Sequence, residues 1–408
     1  MTLVPVMSFH SVGDVGLPYD LRHLTTSVGV LERILKWLDR HGFETLTHQQ
    51  LYDHLNSGTP VPDKSLILAF DDGYLDNWVY VHPLLKKYGQ RGVIYVTGEF
   101  VDSGDILRPN LDDVWNGKMQ RHELPGLGYC NWAELRAMSE AGTLEVQSHL
   151  LTHSWHPVSD KIVGFHHPGQ PWYWEAWNRD VGAKPDWLLW SRGELDSRVP
   201  WGTPVFENKR THFAPRCTPD PKISEEVVNK VIEFAANSSG SGDGTTMRSI
   251  DGPTAFFQQE NWQQQLLAVA ESVDAAPAEY ESREQFEARF EWECSESRLL
   301  IENNIPNQKA NFMAWPGGRY DARLQELALK HYDATFTTDY GVTAPGEDPK
   351  LIKRSFFAQR SPEVLGWDYP SFVHFVGRMQ RLRGRTNYRL HTFLANRVIN
   401  FAARRKDR

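Results

Sequence analysis

Two rhythms of apolar and polar positions alternate along the first third of the chain. Short unbroken apolar runs, VPVMSF before His10, SLILAF from Ser65 to Phe70 and VIYVT from Val93 to Thr97, have the length and character of strands buried on both faces of a parallel sheet. Between them the apolar positions fall at helical spacing. Leu31, Ile34, Leu35 and Leu38 share one stripe and predict a helix from Val30 to His41 closed by Gly42, and another helix is expected from Val79 to Tyr88. NWAELRAMSEAG then offers Asn131 as an N-cap and Gly142 as a helix stop, and leads into the strand LEVQS just before His149. Successive βα units of this kind predict an α/β fold around a parallel sheet or barrel.

The rhythm stops near Ser154. Seven tryptophans fall between Trp155 and Trp201, and Asn237 to Pro253 is rich in Gly and Ser, which reads as a loop. A charged amphipathic helix near Arg283 to Asn303 restores the pattern, followed by the strand NFMAW, a helix from Asp321 to His331 and the strand ATFTT. We therefore expect a body made of residues 1–153 and 281–360, a Trp-rich insertion over 154–280, and a C-terminal segment over 361–408. The tryptophans of the insertion either form its own small core or offer flat faces to sugar rings.

Composition narrows the function classes. No apolar run approaches the length that spans a bilayer, and the N-terminus lacks the pattern of a secretory leader, so a cytoplasmic location is the expectation. Cys130, Cys217 and Cys294 lie far apart and form no CxxC pair, which argues against a disulfide framework or a thiolate zinc site. The net charge of −8 conceals an asymmetry: Arg378 to Arg408 holds ten Lys/Arg and one acidic residue, Asp407. An acidic body disfavours nucleic acid as a partner, whereas the basic end suits a local anionic contact. In that tail Leu390, Phe393, Leu394, Val398, Phe401 and Ala402 fall on one helical stripe flanked or capped by Arg389, Arg397, Arg404, Arg405, Lys406 and Arg408. Such a helix either lies on an anionic membrane, placing the protein at its inner face, or packs its stripe on the body.

Asp71 and Asp72 stand at the C-terminal end of an apolar strand, where α/β enzymes place reactive groups. Adjacent carboxylates repel, so they need a cation or donors, and one can hold a metal while its neighbour acts as a base; Asp-Asp-Gly is also plain turn chemistry. His149 and His153 are four apart after another strand, a spacing that turns both imidazoles to one side of a helical turn. Together Asp72, His149 and His153 make a two-histidine, one-carboxylate set with open positions for water and substrate.

FDDGY (Phe70 to Tyr74), SHLLTH (Ser148 to His153) and AWPGGRY (Ala314 to Tyr320) occur in an order, and at strand ends, that resemble the polysaccharide deacetylases of the NodB-homology, carbohydrate esterase family 4 type. MSFHSV and NWAELRAMSEAG resemble the branch that deacetylates poly-N-acetylglucosamine. The resemblance covers about residues 1–153 and 283–356. It implies a distorted (β/α) barrel carrying a large insertion after the His-x-x-x-His motif, and removal of acetyl groups from an N-acetylated sugar or glycan. It further implies Asp71 as general base and a divalent metal on Asp72, His149 and His153, zinc first, with cobalt or nickel as substitutes. Backbone N–H groups near Tyr74 would help hold the oxyanion, and Tyr74, Trp315, Pro316 and Tyr320 would line the sugar pocket, unless Trp315 and Tyr320 only fill the barrel end.

The chain departs from the family pattern at three places. Leu150 stands where Ser or Thr follows the first motif histidine, Ala314 replaces the arginine and Gly317 the tyrosine of the third motif, and no Leu-x-His motif supplies a general acid. His10, ending the first strand, is the candidate acid, the alternative being a hydrogen-bonded core histidine. Arg354 is the candidate substitute for the missing arginine or a substrate contact, the alternative being an exposed charge. Two other readings compete: a catalytically inactive glycan-binding relative, and a non-haem iron oxygenase with the same ligand set.

Overall fold

The structure, a computed structural model, describes residues 2–169, 172–239, 251–357 and 369–406. Most of the expected Gly/Ser loop, residues 240–250, lies outside them, as do Arg408 and the side chains of Phe401 and Ala402. The described chain divides into two compact units, one made of Met1–Thr152 with Glu291–Arg408 and one of His153–Phe290.

Eight strands form the sheet of the first unit: β1 (Val6–Phe9), β2 (Ser65–Phe70), β3 (Gly92–Val96), β4 (Leu144–Ser148), β5 (Phe312–Ala314), β6 (Ala334–Phe336), β7 (Leu351–Ile352) and β8 (Ser355–Phe356). They lie in the order β8-β1-β2-β3-β4-β5-β6-β7, and every pair is parallel. A short strand, Glu44–Thr45, adds to β2. Laid flat, eight strands would be about 34 Å wide. Yet β7 and β8, at opposite ends of this order, are joined only by Lys353 and Arg354, a link that reaches at most about 11 Å. The sheet therefore curls until its ends nearly meet, which is the distorted barrel, and Arg354 sits in the seam.

Strand periodicity decides which residues face inward. Val6, Ile67, Ala69, Val93, Tyr95, Phe312, Ala314, Ala334, Phe336 and Ile352 make one apolar cluster, whereas Met7, Leu66, Leu68, Phe70, Ile94, Leu144 and Val146 belong to another. The second cluster includes Leu31, Ile34, Leu35 and Leu38 of α1 (Val28–Arg40), so it is the outer layer between sheet and helices. Continuing the two-residue alternation past each strand end turns His10, Asp71 and His149 to the inner face. Helix α2 (His48–Ser57) adds Leu51 and Leu55 to the inner cluster; a Thr47–Gln50 capping box starts it and Gly58, at φ 73°, ends it.

The other expected helices are present with small shifts. A π-helical turn at Asn77–Val81 runs into α3 (His82–Lys87), and α4 (Trp132–Glu140) begins on Asn131, whose side chain accepts from the Glu134 N–H. Helices α5 (Arg283–Asn304) and α6 (Ala322–Ala328) flank β5 in sequence. The tail folds as α7 (Tyr369–Leu382) and α8 (Arg389–Lys406).

On α8 the small residues face inward and the large ones face out. Thr392 and Ala395 are buried, while Leu390, Phe393, Leu394 and Val398 are 62%, 54%, 51% and 41% exposed. Gly377 of α7 explains this: a Cβ there would lie 2.6 Å from Thr392 Oγ1, so the two helices meet through their smallest residues. Packing of the apolar stripe on the body is thus excluded for these four residues. Among the described residues no helix is long and apolar enough to cross a membrane.

In the second unit a long antiparallel pair, Trp155–Phe165 with Pro204–Arg210, accompanies several helices, among them Pro221–Ser239 of 19 residues. Trp177, Trp187 and Trp190 are buried there, with Tyr173 stacked on Trp187 at 5.0 Å, so these rings are core. The three cysteines are free and buried.

Candidate metal and catalytic site

The strand ends of the barrel align in register, Phe9 with Phe70 and Val96 with Ser148, so the residues that follow form one rim. Asp71 donates its backbone N–H to Phe9 O at 2.9 Å and His149 donates its own to Val96 O at 2.9 Å, which extends the ladder one residue beyond the strands. Asp72 then takes φ 74° and Gly73 φ 79°. Two left-handed residues in succession turn the chain sharply, and the first is a carboxylate residue rather than glycine, a conformation that costs energy and is held by its surroundings. The turn brings Asp72 Oδ1 to 3.4 Å from His149 Nε2.

His149 is oriented from behind. Its Nδ1 lies 2.8 Å from the carbonyl of Ala314, which places the proton on Nδ1 and the lone pair of Nε2 toward Asp72. The residue that takes the place of the motif arginine therefore contributes through its backbone. Leu150 is buried at φ 62°, its N–H donating to Ser148 Oγ at 3.1 Å. His153 follows at φ 42°, where the second unit begins. Ligand atoms of Asp72, His149 and His153 all lie within 4.8 Å of one another. Two donors on one tetrahedral zinc stand about 3.4 Å apart, given bonds of about 2.1 Å. The Asp72–His149 separation matches that value, and two imidazoles with one carboxylate suit zinc, cobalt or nickel. The residues present fit a divalent metal.

Asp71 is partnered by Arg354. Nη1 of this arginine donates to Asp71 Oδ1 at 2.6 Å, its Nε donates to Thr337 O at 3.0 Å, and its guanidinium lies 5.1 Å from the Tyr95 ring centroid. The side chain is 0% exposed. Both the expectation of a substrate contact at Arg354 and that of an exposed charge are thereby corrected: the seam between β7 and β8 feeds it into the barrel, and it neutralises the carboxylate beside the metal ligands. Tyr95 is in turn held by His48, whose Nε2 is 2.6 Å from the phenol oxygen and whose Nδ1 is 3.8 Å from Glu145 Oε2. Burial pulls the His48 pKa down.

His10 reaches the same carboxylate from the other side, with Nε2 3.9 Å from Asp71 Oδ2 and its ring edge-on to Phe356 at 5.0 Å. Among the described residues its Nδ1 has no hydrogen-bond partner, and burial lowers its pKa against the opposing pull of Asp72 and Asp71. Tyr74 is 4% exposed and stacks on Tyr129 at 5.3 Å; burial and Asp72 push its phenol well above the usual range.

The expected sugar contacts of Trp315 and Pro316 do not hold, because both are buried and Trp315 is 0% exposed. Trp315 instead stacks on Tyr320 at 5.7 Å and fills the barrel end. Tyr320 is half-buried and donates its hydroxyl to Asp339 Oδ2 at 2.8 Å. The turn between Trp315 and Tyr320 requires its glycine: a Cβ on Gly318, at φ 70°, would sit 1.8 Å from Thr338 Oγ1.

Two residues near the histidines carried no sequence signal. Within the second unit Arg210 places Nη1 3.0 Å from His153 Nδ1 and stacks its guanidinium 3.8 Å over Trp155. Thr152 donates to Glu293 Oε1 at 2.9 Å, and Glu293 is 1% exposed. Both pairs join residues far apart in sequence and on different elements, so no local pattern announces them.

The chain is similar to known proteins over part of its length. Residues 58–166 match the family model described as polysaccharide deacetylase. Over 98 residues, 24% of the chain, it is 30% identical to YxkH of Bacillus subtilis (strain 168), a protein named for polysaccharide deacetylase, and covers 33% of it. Over 144 residues, 35% of the chain, it is 26% identical to poly-beta-1,6-N-acetyl-D-glucosamine N-deacetylase of Escherichia coli (strain K12), and covers 20% of it. The chain thus spans a third or less of the length of these relatives. Among solved structures, a de-N-acetylase from Aggregatibacter actinomycetemcomitans aligns over 86% of this chain and 93% of its own, at 17% identity and a TM-score of 0.47. The FDDG turn at the end of β2 and the paired histidines after β4 both lie inside the stretch, residues 58–166, that is similar to the polysaccharide deacetylase family model.

Proposed function

We propose that the chain hydrolyses the N-acetyl group of an acetylated sugar or glycan in a metal-dependent reaction, releasing acetate and leaving the free amine. The observation that carries this reading is the juxtaposition of two differently held carboxylates: Asp71 on a buried arginine, Asp72 among two imidazoles. A ligand and a base are separated by environment although they are neighbours in sequence. Asp72, His149 and His153 would hold the metal, most suitably zinc, which supplies Lewis acidity at the acetamide carbonyl. Arg354 occupies Asp71 Oδ1, so Oδ2 is the oxygen that takes the proton of the attacking water. His10, 3.9 Å from that oxygen, passes a proton to the departing nitrogen. The tetrahedral carbon collapses to acetate as its C–N bond breaks, and the backbone at Tyr74 is the nearest candidate to share the oxyanion.

Arg354 also weighs against a non-catalytic glycan binder, since it supplies the base partner that Ala314 cannot. Asp71 beside the ligand set suits hydrolysis better than oxygen chemistry. The test is acetate release from polymeric, lipid-linked and nucleotide-linked N-acetyl sugars by chelated and zinc-reloaded protein. Release that requires zinc is expected; reloaded protein that frees no acetate from any of them contradicts the reading.

We further propose a peripheral contact with anionic membrane at the inner face of a cytoplasmic bilayer, through α8. Its exposed Leu390, Phe393, Leu394 and Val398 share the helix with Arg389 and Arg397, the arrangement of an interfacial helix. Replacing Phe393 and Leu394 by serine should abolish co-sedimentation with anionic vesicles at low salt. Unchanged sedimentation of that variant contradicts the contact.

A further inference from the structure

A polar column runs through the barrel interior behind the base carboxylate. Phe70 pairs with Ile94 in the ladder between β2 and β3, so the next residues, Asp71 and Tyr95, stand side by side on the inner face. The Tyr95 ring lies under the Arg354 guanidinium, 5.1 Å from it, and its centroid is 6.4 Å from that of His149. At the far end of the ring the hydroxyl is 2.6 Å from His48 Nε2. Burial keeps the imidazole neutral, and the Glu145 carboxylate, 3.8 Å from Nδ1, draws the proton to that nitrogen, so Nε2 accepts from the phenol. The column is rooted in the backbone. His48 N–H donates to Glu145 Oε2 at 3.1 Å, Gln147 Nε2 donates to Glu145 Oε1 at 2.6 Å, and Gln147 Oε1 accepts from the Phe312 N–H at 2.9 Å. Phe336 meets the His48 ring edge-on at 4.1 Å. Tyr95 and His48 are fully buried, so neither reaches substrate.

We propose that Tyr95, fastened by His48, is a positioning residue for the reaction: it holds the Arg354 guanidinium in place and through it keeps Asp71 Oδ2 turned to the attacking water. The inference rests on the amide-hydrolysis reading above and deepens it. The backbone fixes this arginine only weakly, because β7 and β8 on either side of it are two residues each. Its side-chain contacts carry the rest. The hydrogen bonds from Nε to Thr337 O and from Nη1 to Asp71 Oδ1 lie in the guanidinium plane, and the π-face of Tyr95 resists movement out of that plane. A phenol that donates to nitrogen carries more electron density in its ring, which strengthens the hold on the cation. An apolar core would fill the same space at lower cost, since buried hydroxyl, imidazole and carboxylate each lose hydration. What the polar column adds is orientation.

The experiment uses zinc-reloaded full chain and whichever polymeric, lipid-linked or nucleotide-linked N-acetyl sugar gives the highest wild-type rate of acetate release. Tyr95→Phe keeps the ring and loses its fastening, so kcat should fall about 10-fold, the scale of one hydrogen bond, with KM within about 2-fold and zinc content as in wild type. Tyr95→Leu removes the ring and should lower kcat about 10²-fold, the scale of a displaced reacting group. His48→Gln, whose amide oxygen can accept from the phenol, should keep more activity than His48→Leu. In an Arg354→Met background, Tyr95→Leu should lower kcat by no more than about 2-fold further, because the group it positions is gone. A kcat unchanged in Tyr95→Phe, a loss confined to KM, or an equal effect of Tyr95→Leu with and without Arg354 overturns the proposal. Should no sugar release acetate, the hydrolysis reading fails by itself, and nuclear magnetic resonance still decides the placement. The Nε–H signal of Arg354, identified by its absence from Arg354→Met protein, should exchange with water about 10-fold faster in Tyr95→Phe than in wild type. Equal exchange in the two proteins overturns it.

Discussion

Replacing Arg354 by methionine tests whether the seam arginine holds the base carboxylate. The guanidinium is fully buried and its partner Asp71 is 5% exposed, with 2.6 Å between the bonded atoms. Removing one member of such a pair leaves the other charge buried alone, which costs about 3–5 kcal/mol. At roughly 2–4 °C per kcal/mol for a domain of 150–250 residues, the melting temperature should fall by about 10 °C. Removing both charges is a different perturbation. Arg354→Met with Asp71→Asn leaves no uncompensated ion, so the pair should show a coupling energy of at least about 2 kcal/mol in a double-mutant cycle. The assay is urea unfolding of the four proteins followed by near-ultraviolet circular dichroism, with acetate release measured alongside. The kcat of Arg354→Met should fall about 10²-fold, the scale of a misplaced reacting group. Additive single and double mutants, or a loss below about 1 kcal/mol for Arg354→Met, refute the reasoning.

His10→Gln should lower kcat by about 10²-fold, as expected for a lost general acid; an unchanged rate and pH profile would make His10 a structural residue. Arg210→Ala should tighten zinc binding by about 10-fold, because the charged hydrogen bond that competes with the metal for His153 is removed. Neutral imidazole has one acceptor nitrogen and Arg210 occupies it at His153, so weaker binding in competition with a chromophoric chelator contradicts this. Burial lowers His82 to a pKa of about 4, with Nδ1 2.7 Å from Thr143 Oγ1. A folded pKa below the unfolded one means stability is present above pH about 6.5 and lost as pH falls toward 4, about 2 kcal/mol of it by pH 5. His82→Gln should therefore show a flatter dependence of melting temperature between pH 7.5 and 5, and an equal slope in both proteins removes His82 from the account.

The parts of the site that were legible in sequence are those written into one strand and the turn after it. SLILAF running into Asp71-Asp72-Gly73 declares a buried strand and its rim, and His149 and His153 repeat the device after β4. Arg354 was harder to place. Its two neighbouring strands are only two residues each, and nothing local shows that β7 and β8 lie at opposite ends of the sheet. Only closure of the barrel turns that side chain inward. Trp315 misled for a related reason, since an aromatic residue at a strand end suits a sugar face or a barrel plug equally well, and burial decides for the plug. On α8 the apolar stripe was evident, but the packing face is set by Gly377 on another helix, whose missing side chain admits Thr392 and leaves the large residues outside.

The central claim is that neighbouring carboxylates divide the work, Asp72 holding metal with the two histidines and Asp71 moving the proton. Zinc content and acetate release measured on the same preparation of Asp71→Asn test it most directly. The account predicts zinc bound as in wild type and a rate lower by about 10²–10⁴-fold, the usual contribution of a general base, whereas Asp72→Ala, His149→Ala and His153→Ala lose the metal itself. Asp71→Asn protein that carries zinc and releases acetate at close to the wild-type rate would contradict it.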